Sequence, residues 1–112
     1  MATQNESIRE LQSALIREHK KLHDSLDDVT DAKTAQQIVR EMQEVNHRIA
    51  LAGSLLFAKQ SKALDSKVAN VRKATGKVNK AIANLKNLKA FLDAISGFLG
   101  LVDEALDFAK GF

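Results

Sequence analysis

Proline, cysteine, tryptophan and tyrosine are all missing from this 112-residue chain, and glycine occurs only five times. Without proline no helix is obliged to stop, and with so little glycine the tight turns that a sheet demands have few places to form. The missing cysteines exclude disulfides, thiolate metal sites and thiol nucleophiles. The longest uncharged apolar run, Ala94 to Val102, spans nine residues, about half of the ~20 that a membrane-crossing helix needs. The first residues, Met-Ala-Thr-Gln-Asn-Glu-Ser, show no basic stretch leading into an apolar one. The expectation is therefore a cytoplasmic protein, with secretion by a non-classical route and conditional membrane association left as exceptions.

Apolar periodicity dominates what is present. Ile8, Leu11, Leu15, Leu22, Leu26 and Val29 recur three, four or seven residues apart, the narrow stripe of an amphipathic helix. Thr3-x-x-Glu6 has capping-box spacing and places the start of that helix. Asp27-Asp28, Thr30-Asp31 and a second box, Thr34-x-x-Gln37, place its end and the start of the next. Ala35, Ile38, Met42, Val45, Ile49, Ala52 and Leu56 then hold a heptad that Gly53 interrupts lightly. Beyond Phe57 the apolar positions thin to Leu64, Val68 and Val71. Gly76, after Lys73-Ala74-Thr75, reads as a left-handed helix C-cap and so as a turn. From Val78 the heptad runs through Ala81, Leu85, Leu88, Leu92, Ile95, Leu99, Val102, Leu106 and Ala109.

The expected architecture is all-α: one domain over 1–112 with long amphipathic helices at about 3–28, 34–75 and 77–109 in a bundle or coiled coil. A break near Gly53 would make four, and the last two of the three are expected to pair as an antiparallel hairpin. Gly97 and Gly100 would either kink the C-terminal helix or admit another helix closely.

Phe91, Leu92, Ile95, Phe98, Leu99, Leu101, Val102, Phe108 and Phe112 spread over more than half of that helix's circumference. Each would forfeit roughly 1.5–3 kcal/mol if left in water, so this face must be covered. Three covers are open: the chain's own narrower stripes, a second copy or partner helix, or an anionic membrane surface.

The net charge of +3 conceals three blocks. Residues 1–57 carry seven Lys/Arg against nine Asp/Glu, residues 58–89 nine against one, and residues 90–112 one against four. The basic residues of the middle block are Lys59, Lys62, Lys67, Arg72, Lys73, Lys77, Lys80, Lys86 and Lys89. They suit phosphates or lipid headgroups by diffuse attraction. With eight lysines, one arginine and no aromatic between Phe57 and Phe91, they are poorly made for reading or stacking bases.

His19 and His23 have the i, i+4 spacing of metal ligands, with Asp27 a turn further on, but only the distant His47 offers a third imidazole. The expectation is no metal, no cofactor and no enzyme. Neither H-E-x-x-H nor G-x-S-x-G occurs, and the upstream glycine that would turn Gly76-Lys77 into a phosphate loop falls on Val71. The expected role is helix-mediated self-association or partner binding through the C-terminal apolar face. Binding or insertion at anionic bilayers, and non-specific nucleic-acid binding by the lysine segment, are the alternatives.

Overall fold

Asn5 opens the first helix. In the computed structural model, which describes Thr3 to Gly111, its side-chain Oδ1 accepts from the Ile8 N–H at 3.1 Å. That satisfies one of the donors a helix start leaves open. The expected Thr3–Glu6 box therefore gives way to Asn5, which is buried as Thr3 is not. Helix α1 (Glu6–Ser25) follows, then a single 3-10 turn (Leu26–Asp28). Asp31 caps α2 (Ala32–Ser54), accepting from the Thr34 N–H at 3.0 Å and the Thr34 hydroxyl at 2.8 Å. These bonds hold the Asp31 carboxyl below its usual range. Thr34 is thus the donor in the cap, displacing the expected Thr34–Gln37 box.

The long second helix divides where Gly53 marked it. Helix α3 (Lys62–Ile82) starts at Ser61, whose hydroxyl oxygen accepts from the Leu64 N–H, and α4 (Leu88–Lys110) starts at Asn87, which accepts from the Ala90 N–H. The expected turn at Gly76 does not form: Gly76 lies inside α3, and no described glycine has positive φ. A glycine within a helix costs only about 1 kcal/mol. Continuing the helix buries Val78 beneath Leu64, Val68 and Val71, which more than offsets that cost. The turn falls instead at residues 83–87, so the heptad from Val78 to Ala109 is shared by two helices rather than carried by one.

The four helices form two hairpins, α1 with α2 and α3 with α4, and they stack so that α1 lies on α3 and α2 on α4. The first hairpin is antiparallel, with Gln12 donating to the Ile49 carbonyl at 3.2 Å. Gly53 makes room for this bond, since a Cβ there would meet Gln12 Nε2 at 3.1 Å. The second is antiparallel too, with Lys67 Nζ 5.5 Å from the centroid of the Phe108 ring. Ser7 donates to Asp65, and Arg72 pairs with Glu10, which fixes α1 and α3 in parallel register. The result is a rod of 49 × 21 × 17 Å.

Its core runs the full length. Ile8, Leu11, Leu15 and Leu22 from α1 meet Ile38 and Val45 from α2, Leu64, Val71 and Val78 from α3, and Phe91, Phe98 and Val102 from α4, all fully buried. Three slender stripes converge on the broad face of α4 and together cover it.

Candidate functional site

That convergence decides which residues remain at the surface. Of the nine expected contact residues on the C-terminal helix, Phe91, Ile95, Phe98, Leu99 and Val102 are enclosed by the chain's own bundle. Their role in the single chain is core, because α1, α2 and α3 each supply part of the cover that no one of them could give alone. Leu92, Leu101 and Phe108 are half-buried, and Phe112 lies outside the described residues.

Leu101 belongs to a different surface, the outer seam between α3 and α4. Along this seam Ala81 and Ala94 line one stretch, and Ala74 and Leu101 the next. Towards the α3–α4 turn the seam opens into a groove of about 530 Å³, lined by Lys77, Lys80, Ala81, Asn84, Asn87, Ala90, Asp93 and Ala94. A shallower stretch of about 300 Å³ continues it past Asn70, Lys73, Ala74, Lys77 and Leu101. The groove exists because alanines occupy the seam, where larger side chains would fill it. These alanines, with Asn84 and Asn87, escape a sequence reading that looks for large apolar residues.

The two banks carry opposite charge. Lys73, Lys77 and Lys80 recur at helical spacing on exposed α3, with Lys62 three turns before Lys73 on the same line. Asp93 and Glu104, three turns apart, stand exposed on α4. None of these six makes an ion pair within the described residues. Between the two acids lie Gly97 and Gly100, both exposed, and a Cβ built on either meets nothing within 4 Å.

The structure scatters the rest of the basic block. Lys59 is exposed in the α2–α3 connection. Lys67 is spent on the Phe108 ring and Arg72 on Glu10. Lys86 lines a small cleft with Asp28 and Asp31 of the α1–α2 connection, and Lys89 is exposed at the start of α4. An acidic loop thus faces the basic turn at that end of the rod.

Two further polar features lie outside the groove. Arg48 of α2, with its side chain 13% exposed, donates through Nε and Nη2 to the two carboxylate oxygens of Asp103 on α4, at 2.7 and 3.0 Å. It also reaches Glu44 Oε2 at 3.0 Å. The Asp103 bonds, reinforced by Glu44, hold the guanidinium more firmly protonated than usual. Glu18, only 2% exposed, keeps Oε2 without a hydrogen-bond partner. Burial pushes its carboxyl above the ordinary range, against the opposing pull of Lys21 and Arg17. His19 is half-buried while His23 and His47 are exposed. Among the described residues no three His, Asp or Glu side chains gather in a way that could hold a metal ion.

No family model, curated protein or solved structure significantly matches the chain.

Proposed function

We propose that this chain is a non-enzymatic helical interaction protein that meets a second copy or a partner helix along the exposed flank of α4 and the bank of α3 beside it. One observation carries the reading: the open seam groove floored by Ala81, Ala90 and Ala94. Small residues on the floor and half-buried Leu101 further along suit the apolar face of a helix laid into a groove, while charged rims fix its register.

A photo-crosslinking residue placed at Leu101 tests this in the cell that makes the protein. The expected result is a discrete adduct, to itself or to one partner, that a crosslinker at Asn46 on exposed α2 does not give. Equal labelling from both positions, or none from Leu101, would remove the proposal.

A second reading rests on the lysine line itself. Lys62, Lys73, Lys77 and Lys80 share one exposed face, and such a row attracts anionic headgroups at about 1 kcal/mol for each charge held near the surface. Among the described residues no helix is long and apolar enough to cross a membrane, so this reading is one of surface attachment. Co-sedimentation with phosphatidylserine vesicles at low salt tests it. Nucleic-acid binding by the same row would instead appear as a mobility shift lost steeply with added salt.

A further inference from the structure

We infer that the groove's occupant is a second copy of this chain, packed face to face about a two-fold axis parallel to the helices, so that the lysine bank of each copy covers the acidic bank of the other. The inference rests on the interaction reading above and gives it a partner.

The geometry begins with the arrangement of charge. Lys73, Lys77 and Lys80 lie on one side of the seam, Asp93 and Glu104 on the other, and all five are exposed and unpaired within the described chain. A face with its positive side on one helix and its negative side on the neighbour is complementary to itself under one operation only. Rotation about an in-plane axis along the helices sets α3 of one copy over α4 of the other. Rotation about the in-plane axis across them sets lysine on lysine and acid on acid, and is repelled.

Heights along the rod agree with the first operation. Lys67 of α3 sits over the Phe108 ring of α4, and counting antiparallel from that contact brings Ala81 level with Ala94 and Ala74 level with Leu101. Lys80 therefore falls two residues from the level of Asp93, and Lys73 two residues from that of Glu104. At the helical rise each offset is about 3 Å, within reach of a lysine side chain. Between these two contacts the facing surface of α4 presents Gly97 and Gly100. Their missing side chains answer no need inside the chain, since a Cβ at either would stand in open space. Beneath an apposed helix they allow the backbones to approach closely. The contact is thus a close seam clamped by two charge pairs on each side of the axis.

Sedimentation equilibrium of the full chain at low and high salt, with two charge-reversed variants, tests the pairing. One variant carries Lys73→Glu and Lys80→Glu, the other Asp93→Lys and Glu104→Lys. All four positions are exposed, and circular dichroism melts confirm that both variants fold. The wild type is expected to dimerise, more weakly at high salt. In each variant alone the 80–93 and 73–104 contacts become like-charged, and association falls at least about tenfold. An equimolar mixture of the two restores it, as a one-to-one heterodimer. A wild type that stays monomeric at about 1 mM, where even weak pairing registers, would overturn the inference, as would a mixture that fails to associate. If that monomer is still crosslinked at Leu101 to a helix of another protein, the pairing falls and the interaction reading stands. If Leu101 captures nothing, both fall.

Discussion

Helices α2 and α4 have 23 residues each, yet α2 buries three of them and α4 buries eight. The difference separates two ways of holding a helix in place. Helix α4 is fixed by apolar area, with Phe91 and Phe98 fully buried. Helix α2 lies at the periphery and depends on directional polar contacts: the Asp31 cap, the Gln12 bond to Ile49 and the Arg48 fork onto Asp103. Its stability is thus spread over bonds that can each be removed singly. That of α4 is concentrated in packing, which fails as a unit.

The sharpest way to break this contrast is Phe98→Ala. It should cost about 3–5 kcal/mol in chemical denaturation and lower protection from hydrogen exchange in all four helices together. Asp103→Ala should cost about 1–2 kcal/mol, discounted because the Asp103 side chain is 47% exposed. Exchange should then rise in α2 while α3 and α4 stay protected. Equal loss in every helix would show that the two helices are held alike.

Glu18 offers a third, opposite effect. Its carboxyl is pushed above the ordinary range in the folded chain, so the fold binds that proton more tightly than the unfolded chain does. The associated stability is complete below the unfolded value and disappears as pH rises through the folded one. Glu18→Gln should therefore stabilise the protein at neutral pH by about 1 kcal/mol. It should also flatten the fall in stability between mildly acidic and neutral pH. The smallest effect is expected at Gly97→Ala, which should raise the thermal midpoint of the single chain by a margin equivalent to about 0.5–1 kcal/mol. Measured at high salt and low concentration, it sharpens the view that this glycine has no task inside one chain.

The helical class and the stripe of α1 were legible because their periodicity has one interpretation, whereas the division of the second helix stood only as an open break near Gly53. The turn at residues 83–87 was not. Asn84 and Asn87 stand three apart, as residues on the polar side of a helix also do, and the heptad passes through Leu85 and Leu88 without losing phase. Placing that turn too early left α3 too short in prospect and made the face of α4 look uncovered. The lysines and Leu101 were visible as candidates. Phe91, Ile95, Phe98, Leu99 and Val102 drew the same attention because hydrophobicity alone does not say whether the cover comes from the same chain. Ala81, Ala90 and Ala94 drew none, because what they contribute is absent volume, which only the apposition of α3 with α4 reveals.

Asn5 joins elements in a way that bears on synthesis. Its backbone N–H donates to the Leu56 carbonyl and its side-chain Nδ2 to the Ala58 carbonyl at 3.0 Å, while Oδ1 caps α1. All these partners lie within the first 58 residues. A ribosome that has released residue 58 has already delivered everything this clasp requires, so the leading hairpin can latch while the rest is still being made. Its Ile8, Leu11, Leu15, Ile38 and Val45 then stay uncovered until α3 and α4 have emerged to pack on them. During that interval the growing protein depends on its translation rate, and on whatever shields nascent chains, to keep its open half from its neighbours.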